Sequence, residues 1–286
     1  MKIVAGVVLY NPEVERLSKN LKACMPQVDS VVFIDNGSKN ILEIQEILKS
    51  EAKVALLKNK SNQGIAYALN QVLDYAKEQD ADFFLTLDQD SVMERGYVSK
   101  MIDEVSANQQ LNRVGIVCPQ TVDVNLPKSE LKHGIELIQN PKVVVTSGCL
   151  TNTKAATEIG GYDNNLFVDY VDVDFNERLL LAGYQIVRNN ETILHHELGR
   201  SEYRRILGLK ILVDNHNVIR RYYITRNRLW FSKRYFGTKG YFKERVKVLM
   251  TIVKILLFED DKSNKIQAIH KGINDFKNGV TGQYED

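Results

Sequence analysis

Cysteine is scarce. Cys24, Cys118 and Cys149, the three in 286 residues, form no paired spacing and no metal-ligand cluster. An odd, scattered set in a chain this long excludes a disulfide framework and predicts free thiols in a reducing compartment. Excess charge is missing too. Lys and Arg total 38 against 36 for Asp and Glu, a formal net charge of +2, which argues against a dedicated nucleic-acid surface but leaves room for a local basic patch. Long apolar runs are absent as well. The N-terminal run has the length of a buried strand and no small-residue cleavage site follows it, so no signal peptide is expected. Val246 to Phe258 contains Lys247 and Lys254 and is too short to span a bilayer. These absences predict a cytoplasmic setting, with contact at the inner face of the cell membrane left open.

What is present suits a globular chain with a real core: hydrophobic residues make up 44% and charged residues 26%. In the first half, short β-branched runs alternate with helical patterns. Ile3–Leu9, Val31–Ile34, Val54–Leu57, Phe83–Leu87 and Val114–Val117 read as buried strands. Between them Glu13–Ala23, Ile41–Ser50, Ile65–Gln79 and Tyr97–Ala107 carry apolar residues at three- and four-residue spacing. The alternation predicts an α/β fold with a mostly parallel central sheet and helices on both faces. Loops and a small antiparallel piece are expected over Thr121–Ser147, a helix over Val171–Ala182 stopped by Gly183, and strands at Tyr184–Val187 and Thr192–Leu194. From about Asn217 onward the chain reads as basic and helical.

Ligands of such sheets bind beyond the carboxyl ends of the strands, and the polar motifs follow the strands. Asp88-Gln89-Asp90 offers two carboxylates one residue apart, hard oxygen ligands suited to Mg²⁺ or Mn²⁺ and, through them, to phosphate; a plain polar turn is the bland alternative. Asp35-Asn36-Gly37-Ser38 is good turn chemistry that could also put Asp35 on a nucleotide. Asn62-Gln63-Gly64 opens a helix, where Gly64 permits close backbone approach and the helix N-terminus attracts phosphate, or where Asn62 simply caps. It is no phosphate loop, since the lysine and Ser/Thr of that motif are missing. Asp169, Asp172 and Asp174 cluster at a helix start. Asp174 and Arg178 at i,i+4 form a natural ion pair, leaving Asp172 as the general-base candidate. Of His195 and His196 only one can face a site, where a neutral imidazole could complete a metal's coordination. Arg221 or Arg226 could clamp a diphosphate, although a solvated basic face suits most of these arginines.

Taken together these residues resemble glycosyltransferase family two, the inverting transferases of GT-A (Rossmann-like) fold, and most closely its bacterial rhamnosyltransferases. The resemblance rests on Val8 to Pro12, Asp35 to Ser38, Asn62 to Ala66, Leu87 to Ser91, Asp169 to Phe175, Ala182 to Tyr184, His196 to Gly199 and Arg221 to Asn227. It implies a catalytic domain over residues 1–235, with a nucleotide-sugar-binding half (1–118) and an acceptor-binding, catalytic half (119–235), followed by a helical extension, 236–286. It implies nucleotide-sugar contacts from Tyr10, Asp35, Asn62, Gly64, Asp88, Gln89, Arg221 and Arg226. The metal falls to Asp90 with His196 and Asp88, and catalysis to Asp172. Val171 stands where the family's Glu-Asp pair has Glu, which keeps Asp169 and Asp174 open as bases.

The implied reaction moves a sugar, dTDP-β-L-rhamnose being the favoured donor, to a hydroxyl of a cell-surface polysaccharide or lipid-linked saccharide. A UDP-sugar donor is the first alternative. A nucleotidyltransferase would need a glycine- and lysine/arginine-rich loop that Leu9-Tyr10-Asn11-Pro12 does not supply; a silent carbohydrate-binding protein would not need Asp90, Asp172 and His196. In the tail Val246, Leu249, Val253, Leu256 and Leu257 make an apolar stripe flanked by Lys243, Arg245, Lys247 and Lys254. It suits a membrane surface, a homodimer or the chain's own core.

Overall fold

The computed structural model describes residues 1–49, 51–107, 113–123, 131–196, 202–206 and 209–284. The chain forms two compact units, one of Met1–Asn164 with Val171–His196, the other of Asn165–Tyr170 with Glu197–Asp286.

The first unit is built on an eight-stranded sheet. Its strands are β1 (Ile3–Leu9), β2 (Ser30–Asp35), β3 (Val54–Lys58), β4 (Phe83–Asp88), β5 (Val114–Asp123), β6 (Ile135–Ile138), β7 (Leu150–Asn152) and β8 (Gln185–His196), in the order β3-β2-β1-β4-β7-β5-β8-β6. Pairing is parallel between β1 and β2, β1 and β4, β2 and β3, and β5 and β8. Strand β7 is antiparallel to both β4 and β5, which makes those two parallel across it, and β6 runs antiparallel to β8. Six strands therefore end at one edge. The helices are α1 (Val14–Cys24), α2 (Ile41–Leu48), α3 (Ile65–Glu78), α4 (Tyr97–Ala107), α5 (Thr153–Glu158) and α6 (Val171–Leu181). Near-continuous burial of β1, β2 and β4 follows from cover on both faces, as in any parallel sheet. Leu17, Leu21 and Cys24 of α1, Ile44 and Leu48 of α2 and Met101 of α4 pack with Val7, Phe33 and Leu85 in one core.

The expected alternation is found, with boundaries shifted by a few residues. One expectation fails. The two expected strands are one twelve-residue strand, Gln185–His196, which begins after Tyr184, because the polar run at Asn190–Thr192 is a bulge within it and not a break. Across it Pro119 pairs with Asn189 and Gln120 with Ile193. The antiparallel piece expected in 121–147 is β6. Helix α6 stops at Gly183, φ +77°, where Tyr184 N–H bonds back to the Leu179 carbonyl at 3.0 Å.

The second unit holds a hairpin of β9 (Glu202–Ile206) and β10 (Leu209–Val213), which the sequence reading did not anticipate, then α7 (Val218–Phe258) and α8 (Lys262–Lys277). Asn217 caps α7 by accepting the Arg220 N–H at 2.8 Å. Helix α7 is not straight. Arg228 Nε lies 3.6 Å from Glu244 Oε2, whereas sixteen residues of straight helix would part them by about 24 Å. The chain doubles back at Gly237, whose φ +59° and ψ −151° lie in a region essentially closed to other residues. That turn lets Leu229, Val248, Ile255 and Ile269 share a small core.

Gly237→Ala is expected to cost about 1–3 kcal/mol through backbone strain alone, since an added Cβ there meets nothing within 4 Å. Chemical denaturation checks it; an unchanged midpoint would contradict the reversal at this residue.

Candidate functional site

The carboxyl edge of the sheet gathers the motifs. In register, Leu9 of β1 sits beside Asp35 of β2, and Val8 beside Asp88 of β4. Asp35 and Asp88 thus flank the end of β1, roughly 10 Å apart at two strand spacings. Tyr10, half-exposed, follows between them.

Each loop is tied to the next. The Tyr10 N–H donates to Gln89 Oε1 at 2.9 Å, so Gln89 fastens the end of β4 to the end of β1. Asn11 N–H donates to Ser38 Oγ, and Lys39 N–H to Asn11 Oδ1, both at 2.8 Å. The buried Asp35 carboxylate accepts the N–H groups of Gly37 and Ser38 at 3.2–3.3 Å, an Asx turn that aims it at the edge. Asn36, buried behind it, donates to Asn62 Oδ1 and the Gly64 carbonyl and accepts from Asn59 and the Gln63 N–H.

Asn62 does not cap α3. Its Oδ1 accepts the Gly64 N–H at 2.9 Å, and the cap position is Gly64 itself, φ +86°, with no side-chain cap bond. The first-turn amides of α3 are therefore left to outside acceptors, the arrangement that suits phosphate.

The Asp88–Ser91 turn is braced from below. Ser91 N–H bonds to the Asp88 carbonyl at 3.1 Å, closing it. Asn20, buried on α1, donates to the carbonyls of Asp88 and Ser91 at 3.1 and 2.6 Å, and Arg16 Nε to that of Asp90 at 3.2 Å. Ser147 Oγ accepts the Asp88 N–H at 2.9 Å and pairs with Ser91 Oγ at 3.0 Å. The half-buried side chains of Asp88 and Asp90 are the carboxylates this braced turn carries. The sequence reading missed Asn20, Arg16 and Ser147. A signal existed for the first: Asn20 stands on the apolar face of α1 beside Leu17, Leu21 and Cys24.

Asp172 lies in the first turn of α6, half-buried, its Oδ1 accepting the Val173 N–H at 2.8 Å. Burial pushes the Cys149 thiol well above its usual range, and the charges of Asp172 and Asp88 both add to the rise.

The neighbouring acids are engaged otherwise. Asp174 is fully buried and bonds Arg178 Nε at 2.7 Å, the expected ion pair. In the second unit the Asp169 carboxyl is held by Arg220 at 3.1 Å, while burial raises it above the ordinary carboxylate range. Phe167, Asp169 and Tyr170 all have positive φ, and buried Asn227 holds that strained stretch by donating to the carbonyls of Leu166, Val168 and Asp169 at 2.8–2.9 Å.

The two arginines assigned to a diphosphate are also in the second unit. Arg221 is buried and bonded to Glu259, which also takes Lys265 at 2.9 Å. Arg226 is buried over the rings of Tyr222 and Tyr223, bonding Asn227 Oδ1 at 3.0 Å and the Tyr222 hydroxyl at 3.2 Å. Both are built into this unit's interior. His196 ends β8, at the same edge as Asp35 and Asp88, paired along the backbone with Asp123; its side chain lies outside the described residues.

Among the described residues no cluster of three or more His, Cys, Asp or Glu forms a closed metal site. Two carboxylates on one braced turn nonetheless fit a hard divalent cation of the kind that keeps several waters and shares itself with a substrate's phosphates.

The pattern has known counterparts. Residues 5–163 match the family described as Glycosyl transferase family 2. The dTDP-rhamnosyl transferase RfbF of Shigella flexneri is 27% identical over 295 residues, spanning 98% of this chain and 96% of that protein. Among solved structures, S. aureus TarS residues 1–349 with UDP-GlcNAc superposes at a TM-score of 0.58 with 14% identity, over 98% of this chain and 82% of that one. GalNAc-T7 with UDP, GalNAc and Mn²⁺ does so at 0.54 with 12% identity, over 84% of this chain and 51% of that one. The shared architecture is GT-A.

Proposed function

The chain belongs to glycosyl transferase family 2, and from that premise we propose that it transfers L-rhamnose from dTDP-β-L-rhamnose, with inversion, to a hydroxyl of a cell-surface polysaccharide or lipid-linked saccharide. The observation that carries the chemistry is the braced Asp88–Ser91 turn at the carboxyl edge of the sheet, one strand away from Asp35 across β1. The donor choice rests on the relative that covers nearly the whole chain.

The roles proposed are those that the family resemblance implies. Asp35, with Tyr10, Asn62 and Gly64 beside it, receives the nucleoside, and Asp88 with Gln89 its ribose end. Asp90, with Asp88 and with His196 at the same edge, would hold Mg²⁺ or Mn²⁺, whose chemistry is to neutralise the diphosphate of the leaving group. Asp172 takes the proton of the acceptor hydroxyl as that oxygen forms its bond to the anomeric carbon and the bond to the diphosphate oxygen breaks. Attack opposite the leaving group inverts a β-linked donor into an α-L-rhamnoside. Arg221 and Arg226 have their place here as supports of the second unit's fold. Acceptor hydroxyls and nucleotide sugars meet in the cytoplasm, the compartment the free, buried cysteines suit.

Thermal shift with dTDP, UDP and GDP, each with and without Mn²⁺, tests the reading. dTDP with Mn²⁺ is expected to raise the melting temperature most, by the equivalent of about 2.7 kcal/mol at a hundredfold excess over Kd. A shift with UDP and none with dTDP would move the donor to a UDP-sugar. No shift with any of the three would remove the nucleotide site.

A further inference from the structure

We propose that the outward face of α7 beyond Gly237 docks on an anionic lipid surface. This part of α7 has two faces. One is buried in the second unit through Val248 and Ile255. The other carries Phe242, Val246, Leu249, Val253, Leu256 and Leu257, each between 48% and 61% exposed. At 100° per residue these six fall in one sector about 100° wide, with Met250 at its border, along roughly 24 Å of helix. Seven large apolar side chains left in water along a single stripe are not the scattered exposure ordinary to a surface.

Charge identifies the occupant. Lys243, Lys247 and Lys254 line one border of the stripe and Arg245 the other. The only carboxylate between Gly237 and Phe258 is Glu244, which is buried and paired with Arg228 and Lys247. The exposed Asp260 and Asp261 lie past the helix end. An apolar stripe between basic borders is the pattern of a helix lying in a lipid interface, where the apolar residues enter the acyl boundary and the cations meet phosphate headgroups. A second copy of this chain would instead bring Lys and Arg borders against their own kind with no exposed acid on the face to answer them. No helix among the described residues is long and apolar enough to cross a membrane, so the contact is one of lying on the surface. It brings the enzyme to the plane in which lipid-linked saccharides are held. The inference stands apart from the donor assignment, because docking is read with neither donor nor acceptor present.

The test is sedimentation of the full chain with vesicles of phosphatidylcholine alone and of phosphatidylcholine with one quarter phosphatidylglycerol, at low and high salt. Binding to the anionic vesicles is expected, weakened by salt. The exposed double variant Leu249→Glu/Val253→Glu should lower partitioning on the order of a hundredfold while its nucleotide-induced thermal shift persists. Lys243→Gln/Lys254→Gln, which leaves the apolar stripe intact, should lower it about tenfold or more on anionic vesicles. Absence of binding to anionic vesicles, or binding that neither variant reduces, overturns the proposal. So does a concentration-dependent dimer that Leu249→Glu/Val253→Glu dissolves in a chain that ignores vesicles, which would give the face to a second copy.

Discussion

Asp172→Asn is expected to lower glycosyl transfer by a factor on the order of 10²–10⁴ while nucleotide affinity stays within about threefold. The amide keeps the shape of the carboxylate and can still accept the Val173 N–H that Asp172 accepts at the start of α6, so the local fold has no reason to change. It cannot take a proton. The reacting hydroxyl must then lose its proton to water while attacking, and the barrier rises by the share the base supplied. Single-turnover transfer together with nucleotide titration separates the two readouts. Wild-type turnover by the variant would return the base to Asp169 or Asp174. The structure gives those two other work: Asp174 is buried against Arg178, and Asp169 is tied to Arg220.

Asp90→Ala is expected to be as severe and to fail differently. On the proposed assignment, removing this carboxylate from the braced turn takes away a hard-oxygen ligand, so stabilisation by dTDP should no longer grow when Mn²⁺ is added. Transfer should fall on the order of 10²–10⁴, since charge neutralisation on a diphosphate leaving group is worth several kcal/mol. The turn itself should survive, because its closure runs through the Asp88 carbonyl, Asn20 and Ser147, none of which involves the Asp90 side chain. An Mn²⁺-dependent shift undiminished in Asp90→Ala would take the metal away from this residue. The two variants therefore differ in kind: one keeps ligand binding and loses chemistry, the other loses the dependence of binding on the cation.

Periodicity made much of the first unit legible before any coordinates. Apolar runs at Ile3–Leu9, Val31–Ile34 and Phe83–Leu87 have one physical outlet, burial between helices, and parallel pairing of such strands forces their polar followers to one edge. That is why Asp35, Asp88 and Asp90 could be named together from the sequence. Asn190–Thr192 misled because a bulge and a turn draw on the same polar residues, and only the partner strand distinguishes them.

The basic motif of the second half shows the limit most clearly. Arg221, Arg226 and Asn227 carry the chemistry of a phosphate clamp, yet guanidinium groups also serve buried carboxylates and aromatic faces. The structure uses them for Glu259, for Tyr222 and Tyr223, and for the strained carbonyls before α6. Nothing local in the sequence states which acceptor an arginine will meet. The reversal at Gly237 is of the same kind. The stretch reads as helical in sequence, and the non-helical φ and ψ of Gly237 together with the proximity of Arg228 to Glu244 reveal two helices in place of one. Sequence by itself determined the family, the parallel sheet and the acidic edge, because period and strand order are local and covalent. Tertiary structure alone decided which polar groups brace the turn, which arginines are spent inside, and that the tail's apolar stripe faces out, because each depends on residues far apart in the chain competing for the same partner.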